Sequence, residues 1–251
     1  MEEMILARRR MLMNRSLAPV PASNITHYWK LNGNSLDSVS DAHGTNTNIT
    51  FSSVDALVGQ SAVFGAITPS LINFGDRNSF SFTNEVNGLP FSISIWINAS
   101  ALPTGPTDQL AVLSKQTNTS TREYLLSIEG SNNKTVASLR NSTATTRAIN
   151  SAENNSIVTN TWVHYLITGD GSTGISGIDL YKNGVLQSSK IAIDIYTGMT
   201  NTVAPLRLGV VNANAFNFKG KMCQFAIFNK VLNLNEVNSV YQKGKNGQNL
   251  I

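Results

Sequence analysis

The segment Phe91-Ser92-Ile93-Ser94-Ile95-Trp96-Ile97 alternates apolar and small polar residues. In an extended chain, successive side chains point to opposite faces, so Phe91, Ile93, Ile95 and Ile97 share one face that must find a core. A sheet with one face on a core reads this way. The runs Glu123–Glu129, Lys134–Arg140, Thr161–Thr168, Ile178–Lys182, Leu206–Val210 and Met222–Phe228 read as further strands. Asn183-Gly184 lies between two strand-like runs and is a type I′ hairpin signal, because both turn positions need positive φ. Turn signals recurring every ~8–12 residues point to a sandwich or barrel rather than alternating strands and helices. One helix is expected, near 234–242. Asn233 can cap it, Glu236 sits three residues on, Leu234, Val237 and Tyr241 repeat at helical spacing, and Gly244 offers a stop.

Composition agrees with many short strands. Asn, Ser and Thr account for 79 of the 251 residues, while hydrophobic residues still reach 41%. The chain can therefore bury a core and cover it with neutral polar faces and turns. The net charge of +4 is small, and four arginines within residues 1–20 carry much of the positive excess. A nearly neutral body gives no electrostatic footprint for nucleic acid. The lone Cys223 excludes an internal disulfide and fits maturation in a reducing compartment. No apolar run approaches the ~18 residues a membrane span needs, and acids followed by Arg8–Arg10 do not make a signal peptide.

Residues 1–23 differ from the rest. Met4, Ile5 and Leu6 are followed one heptad later by Met11, Leu12 and Met13, with Arg8, Arg9 and Arg10 between them. On a helix the two apolar clusters fall on one side. Pro19 and Pro21 then stiffen the link. This predicts a helical and extended docking arm that buries its Met/Leu stripe in a partner.

From residue 24 the order of motifs resembles the laminin-G-like, concanavalin A-like jelly rolls. His27-Tyr28-Trp29-Lys30-Leu31-Asn32-Gly33-Asn34 looks like the opening strand, and Leu36-Asp37-Ser38 leading to Gly44-Thr45 like the next loop. Val58 to Phe64, Phe91 to Ile97, Thr161 to His164, Leu180 to Val185, Leu206 to Gly209, Phe218 to Met222 and Leu232 to Tyr241 follow in the family's order, covering about 24–245. The resemblance implies an all-β, two-sheet antiparallel jelly-roll sandwich over 24–251. It also implies a structural calcium ion, held in relatives by an early-loop Asp and a closing-strand Asp. Here Asp37 remains, but Cys223 and Gln224 stand at the closing positions, so the site is expected to be weak, rebuilt or lost, with Asp41 able to compensate.

Catalytic patterns are sparse. A glycosidase needs two carboxylates ~5–9 Å apart, whereas Asp37/Asp41, Glu123/Glu129, Asp170, Asp179 and Asp194 show no i, i+2 pairing on a strand. Gly169 to Gly174 satisfies G-x-G-x-x-G, but a strand rather than a helix follows, so it reads as a hairpin turn. His27, His43 and His164 lack metal-like spacing, no G-x-S-x-G elbow occurs, and Cys223 sits in a presumed core strand. Trp29, Trp96 and Trp162 fall in strands and read as core before they read as sugar platforms. Function in a sandwich concentrates on connecting loops. The loops near 101–109, 117–122 and 211–217 are therefore the expected ligand rim, without named contacts.

The expectation is a non-catalytic virion structural or decoration protein of a phage head or tail, made in host cytoplasm. The arm joins it to other virion proteins as a homo-oligomer, and the jelly roll touches host-surface glycans. The alternatives are a free-standing carbohydrate-binding lectin module and a glycoside hydrolase.

Overall fold

The computed structural model describes residues 20–251 except 85–86, 119, 131, 142–146, 152, 155, 174–176, 194–195 and 213–214. Residues 1–19, and with them Met4 to Met13 of the expected arm, lie outside the described residues.

Two eight-stranded antiparallel sheets face each other. At the centre of the first lies β6 (Phe91–Ala99), paired on one side with β11 (Trp162–Gly169) and on the other with β16 (Gly220–Phe228). Outward from β11 come β12 (Ile178–Lys182) and β13 (Val185–Gln187); outward from β16 come β4 (Ser61–Phe64) and β3 (Thr50–Ser52), and β1 (Ile25–Trp29) also pairs with β16. The second sheet runs β14 (Ser189–Ile193), β10 (Arg147–Ser151), β9 (Lys134–Arg140), β8 (Arg122–Glu129), β7 (Gln109–Gln116), β15 (Leu206–Leu208), β5 (Leu71–Gly75) and β2 (Thr45–Thr47).

Phe91, Ile93, Ile95 and Ile97 do share one interior. They join Val163, Tyr165 and Ile167 of β11 and Met222, Phe225 and Ile227 of β16 in a core with Val112, Leu126, Ala137 and Leu208 of the facing sheet. The alternation at 91–97 suggested one buried face, yet every residue of β6 is buried. The helix is the reason. Helix α1 (Leu234–Lys245) lies on the outer face of the first sheet, where Val237 and Val240 pack with Tyr28, Leu166, Tyr181 and Phe228. There Trp96 stacks on Tyr241 with ring centroids 5.6 Å apart.

The cap is as expected. Asn233 Oδ1 accepts from the Asn235 and Glu236 N–H groups, and Glu236 accepts in return from the Asn233 N–H at 2.9 Å. The stop is not. Gly244 lies inside the helix, and a Cβ there would sit 2.2 Å from Trp96 Nε1, so this glycine makes room for the indole. The chain leaves the helix at Gly247, whose φ is +69°. Asn183 and Gly184 both take positive φ, +52° and +81°, as a type I′ turn requires. The G-x-G-x-x-G segment joins β11 to β12, which pair directly, and the Asp170 N–H closes the turn on Gly177 O at 3.0 Å.

Candidate functional site

At one end of the sandwich, β6 and β16 meet where Ala99 pairs with Gly220. The chain beyond β6 forms the loop 101–108 before β7, and the chain before β16 forms 215–219. Between these two loops opens a cleft of about 490 Å³, lined among others by Leu102, Pro103, Thr107, Asp108, Phe216 and Asn217. That volume is within the range that holds small ligands.

Both walls are fixed from within. Asp108 Oδ2 accepts from Thr104 Oγ1 at 3.0 Å and from the Gly105 N–H at 2.8 Å. These bonds, Thr104 first and Gly105 next, hold the Asp108 carboxyl below the usual carboxylate range. Gly130 donates to Asp108 O at 2.9 Å and admits no Cβ, since Gly105 O would lie 2.0 Å away. Opposite, Phe216 holds φ at +60°, a conformation a bulky side chain adopts only when its surroundings impose it. The Ala111 N–H donates to Phe216 O at 2.7 Å and keeps it there. Phe216 remains 38% exposed at the rim. Beside it, Asn217 Oδ1 is buried and unpartnered. An aromatic face, apolar Leu102 and Pro103, and a few polar groups that accept or donate are the ingredients for stacking a ring and hydrogen-bonding its hydroxyls.

Of the loops expected to carry a ligand rim, 101–109 and, from 211–217, Phe216 and Asn217 line this cleft. The loop 117–122 does not contribute; it closes on itself through Asn118 and Thr121. Phe216 and Asn217 were not singled out by sequence. An aromatic in an asparagine-rich stretch was the available signal.

Asp37 and Asp41, named for a calcium site expected to be weak, rebuilt or lost, are both engaged by protein groups. Asp37 Oδ1 accepts from the Tyr28 and Val39 N–H groups at 3.0 and 2.9 Å, and Oδ2 meets His27 Nδ1 at 2.7 Å and Ser40 Oγ at 2.5 Å. Four protein donors fill the lone pairs of this carboxylate and tie the opening strand to its loop. Burial alone would raise its pKa. The hydrogen bonds, from His27 first and then from Ser40, Tyr28 and Val39, outweigh that and hold it well below the usual range. Asp41 is exposed and pairs with Arg77 at 2.7 Å. Among the described residues, no three His, Cys, Asp or Glu side chains converge as metal ligands. At the closing-strand positions, Cys223 is buried, burial pushing its thiol up to about 12, and Gln224 lies in the bulge that breaks the β16–β6 register.

Trp29 is fully buried, stacked on Phe225 and donating to Ala42 O at 2.7 Å. Trp96 lies under α1, and Trp162 is partly exposed and donates to Asp55 O at 2.8 Å. His164 is buried, its Nε2 2.8 Å from Ser94 Oγ, and burial pushes its pKa down to about 3, which keeps it neutral. His43 is exposed and accepts from the Asp37 N–H at 3.1 Å. Two carboxylates do meet: Asp76 and Glu123 lie 2.8 and 2.9 Å from Lys115 Nζ. Lys115 fills the space between them, and both it and Glu123 are fully buried, so no glycosidic bond can enter.

A family model described as the concanavalin A-like lectin/glucanases superfamily matches residues 74–238. No curated protein matches the chain in sequence. Among solved structures, domain 4 of AbnA, a GH43 extracellular arabinanase from Geobacillus stearothermophilus in complex with arabinotriose, is 20% identical with a TM-score of 0.61; the match covers 87% of this chain and 98% of that one. The binding domain of botulinum neurotoxin DC in complex with rat synaptotagmin II is 16% identical with a TM-score of 0.66, over 88% of this chain and 52% of that one. The same toxin domain in complex with SialylT is 16% identical, TM-score 0.63, with 89% and 52% covered. The chain thus spans about half the length of the toxin domains it matches. With the family model covering most of the two-sheet body, the chain belongs to the laminin-G-like group of the concanavalin A-like lectin/glucanase superfamily.

Proposed function

We propose that this chain is a glycan-binding module whose saccharide occupies the cleft between 101–110 and 216–219. The observation that carries this is Phe216, held with positive φ so that its ring stays at the rim, next to the unpartnered buried Asn217 Oδ1. The likeness to an arabinanase domain determined with arabinotriose supports the ligand class. A glycan array that includes arabino-oligosaccharides, run on the native chain and on Phe216→Ala, tests it. Selective binding that Phe216→Ala abolishes is the expected result. Binding that is flat across all sugars leaves only a structural role and refutes the proposal.

The finer reading is that residues 1–23 dock the module onto a virion as one of several copies. Its support is the Met/Leu stripe around Arg8, Arg9 and Arg10. Several weak sites on one particle would then act together. Deleting residues 1–22 should release the protein from its particle; a truncated chain that still joins the particle refutes the docking role.

A further inference from the structure

The other end of β6 carries a second constellation. Nine residues of strand separate it from the glycan cleft, about 30 Å. Here β1 places His27 against the short 3-10 turn Asn78–Phe80. His27 Nδ1 lies 2.7 Å from Asp37 Oδ2, and its Nε2 lies 3.0 Å from Ser79 Oγ. The ring is clamped. It stacks on Trp29 at 5.4 Å with 8° between planes and meets Phe80 edge-on at 4.9 Å. Asp37, fixed by its four donors, holds the imidazole with Nδ1 protonated and Nε2 free to accept the Ser79 proton. Ser79 is exposed, and it lines a cavity of about 410 Å³ whose apolar wall is Phe82, Leu89, Pro90 and Phe228. Asn78 and Asn229 line the same cavity. Each has its amide oxygen already accepting a bond at 3.1 Å, from Asn201 and Asn24, which leaves the NH2 groups as donors.

We propose that Ser79, His27 and Asp37 form a serine-hydrolase triad that cleaves carboxylic esters with a short apolar acyl chain seated in this cavity. Ser79 Oγ forms a bond to the ester carbonyl carbon as His27 Nε2 takes its proton, and the carbonyl π pair moves onto oxygen. The tetrahedral species collapses, the bond to the alkoxy oxygen breaks, and His27 returns the proton to the departing alcohol. Water then adds to the acyl-Ser79 carbonyl with His27 again as base, releasing the carboxylic acid and restoring the Ser79 hydroxyl. Ser79 and His27 are the catalytic residues, and Asp37 is a positioning residue. No G-x-S-x-G elbow marks the serine in sequence, because the constellation is defined by geometry and not by local motif.

The full-length chain is incubated with p-nitrophenyl acetate and butyrate, and separately with a fluorophosphonate probe whose adduct is mapped by mass spectrometry. Expected are ester turnover and a single adduct on Ser79, both lost in Ser79→Ala, an exposed position where the melting temperature stays unchanged. Asp37→Asn should lower kcat by on the order of 10³–10⁴-fold with KM unchanged. Because Asp37 is buried, His27→Gln provides a second variant in the same assay and should also lose the adduct. Turnover and labelling no greater than those of heat-denatured protein, or labelling that persists in Ser79→Ala, overturn the proposal.

Discussion

Replacing Lys115 with methionine removes the cation from the most enclosed charge cluster among the described residues. Lys115 Nζ lies 2.8 Å from Asp76, 2.9 Å from Glu123, 2.7 Å from Ala204 O and 3.3 Å from Thr202 O. The Glu123 side chain is fully buried, and its Oε2 is unpartnered. Without the lysine, Glu123 keeps only the Thr202 N–H and hydroxyl on Oε1 at 2.9 and 2.8 Å. Removing one partner of a buried pair costs about 3–5 kcal/mol, because the remaining charge stays desolvated. For a chain of this size each kcal/mol shifts Tm by about 2–4 °C, so Lys115→Met should melt roughly 6–20 °C lower. The pH dependence fixes the cause. Burial raises the Glu123 pKa above its ordinary value, and Lys115 opposes that rise. A carboxyl with a raised folded-state pKa favours the fold at pH below its unfolded pKa, ~4.3, and loses that contribution as pH climbs through the folded value. The Lys115→Met penalty should therefore shrink as pH falls from 7 towards 4, and Lys115→Met/Glu123→Leu should be more stable than Lys115→Met alone. Urea unfolding at pH 7 and pH 4.5 measures all three. A Lys115→Met loss under 1 kcal/mol, or a double variant no better than the single one, refutes the reasoning.

Other expectations are as direct. Ile95→Ala empties a fully buried position in the shared core and should cost about 2–5 kcal/mol in urea unfolding. Gly244→Ala gains about 1 kcal/mol of helix propensity but forces a Cβ to 2.2 Å from Trp96 Nε1, so calorimetry should show a net loss of stability. Because Asp37 is saturated by four protein donors, neither calcium nor EDTA should move Tm by more than about 1 °C; a calcium-dependent rise would restore a metal role at Asp37.

Much of the fold was legible because its signals are local. The core-facing side of β6, the Asn183-Gly184 turn and the Asn233/Glu236 cap each depend on residues within a few positions of one another. What escaped reading depends on partners distant in sequence. Gly244 looked like a helix stop until the helix lay on Trp96, nearly 150 residues earlier. The resemblance alone suggests calcium at Asp37; its hydrogen bonds to His27 and Tyr28 come from the preceding strand, which the loop's own residues do not reveal. Asp76 and Glu123 are not paired along the sequence but meet across two strands on Lys115. That 101–109 and the stretch holding Phe216 and Asn217 meet at one end could be anticipated, since sandwich loops cluster at strand ends. The left-handed backbone at Phe216 could not, because only tertiary contacts impose it.

Chemical-shift mapping of the best array glycan on isotopically labelled protein tests the binding account most directly. Shifts centred on the amides of Leu102–Leu110 and Phe216–Lys219, and absent in Phe216→Ala, are the predicted result. Shifts gathered on another surface, or undiminished by that substitution, would contradict it.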